Sequence, residues 1–329
     1  MKNLMKTFVI LALAISITSC DNDDDDMTTM TETETQTIAE IAVANPNLSI
    51  LVEALQKAKL VSVFTSPGDY TVFAPTNDKF EAFLKANGFD SLDDVPEPVL
   101  KEILSNHVIG KSYTSSQLAT GYVKTLAKGG ASDSNTISMY IDLTSGVKIN
   151  GGAANGGANV VLTSANIKAS NGVIHVVDNV IGLPTIVNHA VANPNFKTLV
   201  SVVTSPAQSS ILSALSSPGS MTVFAPIDSG FAKLNTDLMG LGITGGIADV
   251  ADATITNVLL YHVLGGNNLA SSLMSKDYTT LLEQTFEVQL MGGAKIKDNN
   301  NRNSNIIITD VQCSNGVIHA IDNALLPSL

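Results

Sequence analysis

Four of the five histidines fall at two pairs of equivalent places in this chain. His175 and His319 each end the pentapeptide Asn-Gly-Val-Ile-His, whereas His107 and His262 each follow an apolar segment. Histidine can act as a general base or as a metal ligand near neutral pH. A zinc site needs several converging ligands, and the chain has no His-x-His or His-Glu-x-x-His spacing. We therefore predict four structural histidines and no metal site.

Other groups that could perform catalysis also lack the surroundings that such chemistry requires. No Gly-x-Ser-x-Gly motif occurs, and the serines of the two Ser-Pro-Gly sequences belong to predicted turns. Residues 298–303 have the composition of a calcium loop, but Arg302 occupies the fifth position and the sixth-position glycine is absent. Cys313 is expected to be a buried free thiol. The sequence predicts neither an enzyme nor a bound cofactor.

The segments before His107 and His262 have the pattern of amphipathic helices. Apolar residues stand seven, four and three positions before each histidine, which places all of them on one helix face. We expect each histidine to face the core near the end of its helix, where local groups satisfy the ring nitrogens.

The chain is built from two similar halves. Residues 170–180 return almost unchanged as residues 314–324, and each copy begins Ser-Asn-Gly. Asn-Gly favours the positive φ of a tight turn, and the short apolar run after it predicts a strand buried on both faces. Asp178 and Asp322, which close the copies, are expected to accept hydrogen bonds from nearby backbone groups. A tandem repeat of one domain follows.

Within each half, helices are predicted early and strands late. Thr37 and Glu40 form a capping-box pattern, and an Asn-Pro-Asn sequence then stops one helix and starts the next. Asn77 or Asp78 in the first half and Asp228 in the second are predicted to cap the helix after each Thr-Val-Phe-Ala strand. The later strands are predicted at 122–127, 135–142, 147–150 and 159–167, and at 278–282, 286–291, 294–297 and 305–311. This order indicates an α+β domain.

The N-terminus has the pattern of a targeting segment. Residues 8–17 are apolar but too short to span a bilayer, and small or polar residues lead to Cys20. Residues 1–19 therefore read as a secretory signal peptide. Residues 17–20 resemble a bacterial lipobox, which implies that Cys20 carries lipid chains. An ordinary cleaved signal with a chance cysteine is the alternative.

The charge of the chain is concentrated behind this signal. The formal net charge is −12, and residues 21–34 hold seven acids and no base. Residues 20–36 are predicted to form a disordered acidic tether, which resembles the export tag of some surface lipoproteins. A plain spacer and a weak calcium site are the alternatives. No basic patch is present, which argues against a nucleic-acid partner.

Several ordered motifs of both halves resemble the fasciclin (FAS1) domain. They are Thr-Val-Phe-Ala-Pro, then Asn-His-Val or Tyr-His-Val, then Asn-Gly-Val-Ile-His. The resemblance covers residues 37–184 and 185–329 and implies two tandem domains, each a β-sheet wedge or sandwich with several helices. It also implies adhesion without catalysis.

The family's Tyr-His position is implicated in adhesive recognition in animal members. Tyr261 and His262 match it in the second half, whereas Asn106 and His107 occupy it in the first. The family's acidic integrin-type motifs are missing, because 181–184 and 325–328 are uncharged. Binding through these four residues and a core role are both open.

The resemblances together predict a lipid-anchored envelope protein. It would lie on the outer membrane, exposed at the surface, and recognise protein or polysaccharide partners at the cell surface or in the matrix. A periplasmic orientation is the alternative for location. For function, the alternative is an accessory subunit that binds glycan or another envelope protein.

Overall fold

The computed structural model describes residues 36–240 and 242–328. The predicted signal peptide, Cys20 and all but the last residue of the predicted tether lie outside the described residues. Ten α-helices occur in the described part: α1 Ile38–Ala44, α2 Ser49–Lys57, α3 Val61–Thr65, α4 Asn77–Ala86, α5 Glu97–Asn106, α6 Ile186–Ala192, α7 Lys197–Val203, α8 Ser209–Ser216, α9 Asp228–Gly240 and α10 Asp252–Tyr261.

Fifteen strands occur in the same described ranges. They are β1 Tyr70–Pro75, β2 Val108–Ile109, β3 Gly121–Lys124, β4 Ser138–Asp142, β5 Lys148–Ile149, β6 Ala158–Asn159, β7 Ile167–Ala169, β8 Gly172–Val177, β9 Met221–Pro226, β10 Val263–Gly265, β11 Lys276–Thr279, β12 Thr285–Gln289, β13 Lys295–Lys297, β14 Asn303–Cys313 and β15 Gly316–Ile321.

The first half contains two four-stranded sheets, in the orders β2-β1-β8-β7 and β3-β4-β5-β6. The early strand β1 and the closing strand β8 pair in parallel, with Phe73 opposite His175. The other pairings are antiparallel hairpins or neighbours. Helices early and hairpins late confirm the predicted α+β class, whereas the parallel pairing of first and last strands was not predicted.

The second half joins the corresponding strands into one seven-stranded sheet, ordered β10-β9-β15-β14-β13-β12-β11. Strand β14 is continuous over eleven residues, with two register shifts where it passes from one part of the sheet to the other. Its predicted counterpart at 159–167 is instead two short strands, β6 and β7, separated by a 3-10 turn at Leu162–Ser164. The prediction of one strand there was wrong, because the 3-10 turn interrupts the extended backbone.

Alternate residues of the central strands enter two different core layers. Val72 and Ala74 of β1 pack under the helices, whereas Phe73 packs between the two sheets. In β9, Val223 and Phe224 divide in the same way. The predicted burial of the closing strands on both faces is confirmed, since five of six residues of β8 and all six of β15 are buried.

The Asn-Gly sequence before each closing strand is a buried clamp rather than a simple turn. The Asn171 side chain accepts a hydrogen bond from the backbone of Ile38 and donates to the carbonyls of Phe64 and Ser66. Asn315 makes the same three bonds in the second half. The next residue, Gly172, has to be glycine because a Cβ there would lie 2.1 Å from the Tyr70 carbonyl oxygen. Within each Asn-Gly pair, the glycine has a positive φ and the asparagine does not.

The predicted caps at Asn77 and Asp228 serve other helices than expected. Each is the first residue of its own helix, α4 or α9. The Asn77 side chain accepts from the backbone of Ile50 at 3.0 Å, and Asp228 accepts from Thr198 at 2.8 Å. Both acceptors therefore satisfy the free N–H groups at the start of α2 or α7. The predicted caps were therefore assigned to the wrong helices. The fold places the start of α4 beside the start of α2, and the start of α9 beside the start of α7.

No single helix in residues 36–240 and 242–328 is both long and apolar enough to cross a membrane, although two sharply bent helix pairs pass by length and composition.

Candidate functional site

The two histidines at the helix ends, His107 and His262, make equivalent buried hydrogen bonds. We call each histidine with its two bonds a histidine knot. His107 Nδ1 donates to the carbonyl of Ile103 at 2.8 Å, and its Nε2 accepts from the backbone of Ile181 at 2.9 Å. His262 Nδ1 donates to the carbonyl of Val258, and its Nε2 accepts from Leu325. Each ring ties the end of a helix to the segment after the closing strand. This geometry favours the core role.

Tyr261 and Asn106 are as deeply buried as the histidines beside them, with no exposed area. The Tyr261 hydroxyl donates to the Thr285 carbonyl at 2.8 Å, and the ring packs edge-on against Phe286. Asn106 donates to the Gly182 carbonyl. Because none of the four side chains reaches the surface, a partner would meet only the backbone that they order. Their predicted role in binding stays a prediction.

His175 and His319 lie in the closing strands and are equally occupied. His175 Nε2 donates to the Tyr113 carbonyl at 2.9 Å, and its ring stacks on Phe73. His319 donates to the Asn268 carbonyl and stacks on Phe224. The rings thus pin a loop to the central strand of each sheet, and the structural prediction is confirmed. Asp178 and Asp322 also accept from backbone groups as predicted, from Asn159 and Asn305 respectively.

Burial keeps these histidines uncharged. Loss of hydration lowers the pKa of His107 to about 4 and that of His262 to about 4, although a carbonyl beside each ring opposes the shift. Burial also lowers the pKa of His175 and of His319. Burial raises the pKa of the Cys313 thiol, which is free as predicted. Neither neutral, shielded rings nor a protonated thiol has the character of a nucleophile or its base.

Graded changes at Tyr261 and His262 test the core role. Tyr261→Phe removes the hydroxyl that donates to Thr285 and accepts from the backbone of Asn299, and should lower the free energy of unfolding by about 1–2 kcal/mol. His262→Phe leaves the Leu325 N–H and the Val258 carbonyl without partners, and should cost about 2–4 kcal/mol. Chemical denaturation measures both. If His262→Phe is as stable as the unaltered protein, the two hydrogen bonds of His262 do not stabilise the core, and the core role is contradicted.

Between the two halves lies a cleft of about 510 Å³. One wall carries Tyr122, Lys124 and Tyr140 from β3 and β4, and the other carries Asn193 and Asp310 of the second half. The rings of Tyr122 and Tyr140 lie 4.9 Å apart, tilted by 59°. The cleft therefore combines aromatic surface with amide, hydroxyl and charged groups.

Hydrogen bonds across the cleft hold the two halves together. Lys124 Nζ donates to the backbone carbonyl of Asp310 at 2.8 Å, and the backbone of Gln312 donates to Ser138 Oγ at 3.0 Å. Asn193 donates to the Tyr122 hydroxyl at 3.2 Å. Burial lowers the pKa of Lys124. Because these bonds join strands of both halves, the walls of the cleft are fixed relative to each other.

A buried histidine supports the floor of this interface. His189 has no exposed area, and its ring lies 5.5 Å from that of Tyr122 in an edge-on arrangement. Neither ring nitrogen forms a hydrogen bond, although backbone carbonyls of Ser138 and Gln312 lie near. Burial, with the charge of Lys124, lowers the pKa of His189 to about 3. The ring is a neutral packing element.

Sequence reasoning missed this cleft. Asn193 was interpreted only as a helix stop, and Tyr122 and Lys124 only as strand residues. No local pattern could have revealed them, since the cleft depends on how two repeats are placed side by side. Within the described residues, no group of three histidine, cysteine or acidic side chains could hold a metal ion.

The family model of the Fasciclin domain matches residues 46–184 and 194–327. The chain belongs to the fasciclin domain family. These matches lie inside the two predicted domains, 37–184 and 185–329, and we call the two parts the first and second fasciclin domains. The duplicated knots and clamps described above are thus properties of each copy.

Relatives of these fasciclin domains occur in bacteria and animals. Protein sll1483 of Synechocystis sp. is 42% identical over 147 residues, covering 44% of this chain and 72% of its own. Transforming growth factor-beta-induced protein ig-h3 of Sus scrofa is 29% identical over 278 residues, covering 82% of this chain and 36% of its own. Human periostin is 27% identical, covering 82% and 30%. The chain thus spans about a third of these two animal proteins.

A solved structure shares the paired arrangement. It is a FAS1 domain pair from the insect cell adhesion molecule Fasciclin I, with a TM-score of 0.51 and 20% identity, covering 86% of this chain and 98% of the other. At this identity the likeness concerns the fold, and it supports two tandem fasciclin domains.

Proposed function

We propose that this protein is a non-catalytic adhesion or binding protein of the cell envelope, and that the cleft between its fasciclin domains receives the partner. The observation that carries the proposal is the cleft itself, which is concave, about 510 Å³ in volume and lined by both aromatic and hydrogen-bonding groups. The insect protein with the same domain pair, Fasciclin I, is a cell adhesion molecule, and this supports the class of function.

The fixed walls of the cleft favour binding. A partner that enters does not have to order the two domains first, because Lys124 and Gln312 already join them. Preorganisation of this kind lowers the entropic cost of association. Tyr140 is buried, so the half-buried ring of Tyr122 supplies the aromatic contact surface of the cleft. A protein loop and a polysaccharide chain are both suitable partners for such a surface.

Blocking the cleft should abolish recognition without unfolding the protein. Asn195 and Thr309 line the cleft, are exposed, and form none of the interface bonds above. Asn195→Arg with Thr309→Arg places two long side chains in the opening. Binding to a panel of envelope polysaccharides and matrix proteins should fall by about tenfold or more.

A matched control exists in the first domain. Asn47 occupies the same place in its Asn-Pro-Asn sequence as Asn195, is exposed, and does not line the cleft. Asn47→Arg should bind like the unaltered protein. If the double variant keeps full affinity while it remains folded, the cleft is not the recognition surface.

We also propose that Cys20 is acylated and holds the protein on the outer membrane with its acidic tether outward. The lipobox-like sequence and the seven acids behind it support this placement. A Cys20→Ser variant should leave the membrane fraction and appear as soluble protein. Retention of that variant in the membrane would contradict the anchor. Cleavage by protease added to intact cells would distinguish surface display from a periplasmic location.

The second candidate function is an accessory subunit that binds glycan or another envelope protein. The half-buried ring of Tyr122 at the cleft favours a sugar ligand, because a sugar ring presents an apolar face with hydroxyls at its edge. The binding panel separates the candidates by the location of the partner. Binding only to matrix components supports adhesion, whereas binding only to components of the protein's own envelope supports the accessory role.

A further inference from the structure

The second domain contains an apolar cavity that the first domain lacks. It has a volume of about 200 Å³ and lies between the helices and the sheet. The corresponding space in the first domain, between the same helices and strands, is only about 10 Å³. In each domain the lining includes residues of the helix that ends at the knot histidine, α5 or α10, and of the central strand, β1 or β9. The fold therefore does not require the cavity.

Three substitutions between the domains contribute to the difference. Val203 stands where the first domain has Leu55, ten residues after the asparagine that begins Asn-Pro-Asn. Val258 stands where it has Ile103, four residues before the knot histidine. Leu215 similarly replaces Phe64, three residues before the proline of Ser-Pro-Gly. Each change removes carbon atoms from the lining, and close-packed cores do not collapse fully around such losses.

The cavity reaches solvent along helix α10. In the first domain Leu100 and Ile103 of α5 are buried, whereas their counterparts Ile255 and Val258 on α10 are partly exposed. Val191, also in the lining, is 45% exposed. A ligand can thus enter between the helices without the core having to open.

The lining selects the chemistry of the ligand. It consists almost wholly of branched aliphatic side chains, and no ionised side chain takes part. Four polar side chains reach it. His262, Thr204 and Asn300 already hydrogen-bond within the protein, and Thr254 adds a single hydroxyl. A strongly polar ligand would therefore lose most of its hydrogen bonds to water without replacement. An apolar cavity of this kind stays dry, and one of about 150 Å³ accepts benzene.

We propose that the second domain binds the single alkyl chain of a fatty-acid-like amphiphile in this cavity. The volume accommodates one chain and not the two chains of a phospholipid. The absence of a charged group in the lining leaves the polar head at the opening beside α10. The first domain, whose counterpart space is lined by the larger Leu55 and Phe64, does not bind the chain.

The test uses decanoic acid labelled with ¹³C at its terminal methyl group. The full chain is purified as a Cys20→Ser variant without detergent, so that no detergent tail competes. Titration calorimetry should give one site, and binding to the folded state should raise the Tm. Nuclear Overhauser contacts should join the labelled methyl group to the methyl groups of Val203 and Val258.

The matched variant carries Val203→Leu and Val258→Ile, which are the residues of the first domain. It should bind decanoate about tenfold or more weakly, with an equal or higher Tm in the absence of ligand. Val43→Leu, an exposed change of the same size in the first domain, should bind normally. The Overhauser measurement needs no variant and decides the matter if the double variant misfolds.

Three results would overturn the proposal. The first is the absence of saturable binding of decanoate. The second is binding by the folded double variant that equals binding by the unaltered protein, and the third is contacts from the labelled methyl group to residues outside the cavity. Binding of the compact ring benzyl alcohol in place of decanoate would also overturn it, because the cavity would then select rings.

Discussion

Acidification from pH 7 to pH 4 is expected to unfold this protein, since its buried histidines bind protons more weakly in the folded state than in the unfolded chain. Burial lowers the pKa of all five histidines, to about 4 for His107 and His262 and to about 3 for His189. The ordinary value of 6.5 applies once the chain unfolds. Below pH 6.5 the unfolded chain therefore binds more protons than the folded protein.

The sign and size of the effect follow from proton linkage. The stabilisation is complete above pH 6.5 and is lost as the pH falls toward the folded pKa values. Each such histidine contributes about 1.4 kcal/mol per pH unit within that window. A domain is stable by only about 5–15 kcal/mol, so several histidines together are sufficient to unfold it. Urea denaturation at half-unit steps between pH 7.5 and pH 4 measures the slope.

His189 provides the control for this prediction. Its ring nitrogens form no hydrogen bond, so His189→Leu removes a titrating group without removing a bond. The variant should have nearly unchanged stability at pH 7.5 and a shallower fall below pH 6.5. A pH profile as steep as that of the unaltered protein would show that His189 is not a source of the acid sensitivity.

Replacement of the clamp asparagines should be the most damaging single change among the polar residues. Asn171→Ala leaves the N–H of Ile38 and the carbonyls of Phe64 and Ser66 without their partner. Each buried group left unpaired costs about 1–3 kcal/mol, and we expect a total loss of about 3–5 kcal/mol. Asn315→Ala should act equally on the second domain, because its three bonds are the same.

Two comparisons make the clamp prediction specific. Asn47→Ala, at an exposed site, should change the free energy of unfolding by less than about 0.5 kcal/mol. Asn171→Asp keeps the acceptor for Ile38 but cannot donate to the two carbonyls, so it should be at least as damaging as alanine. A cost for Asn171→Ala no greater than that of Asn47→Ala would contradict the clamp.

Much of the fold could be predicted because its signals are local and occur twice. The Thr37 capping box is present, with its reciprocal bonds to Glu40. The second domain repeats it with Thr185 and Asn188. The closing strands were recognisable because a strand buried on both faces needs an uninterrupted apolar run. The parallel pairing of β1 with β8 was not predictable from such a pattern, since nearly a hundred residues separate the two strands.

The site residues show where local patterns stop being informative. Helical spacing placed His107 and His262 correctly on the buried face, but gave no sign that each ring would bond the segment after the closing strand. Asn77 and Asp228 looked like caps of their own helices, whereas their acceptors serve α2 and α7. The interdomain cleft had no sequence signal, because Tyr122 and Asn193 become neighbours only when two domains pack together.

Hydrogen exchange of the protein with and without the ligand that the binding panel selects tests the central claim most directly. Recognition in the cleft predicts slowed exchange in β3, β4 and the part of β14 around Asp310, with little change at the helix ends near His107 and His262. Slowed exchange confined to those helix ends, or to loops far from the cleft, would contradict it.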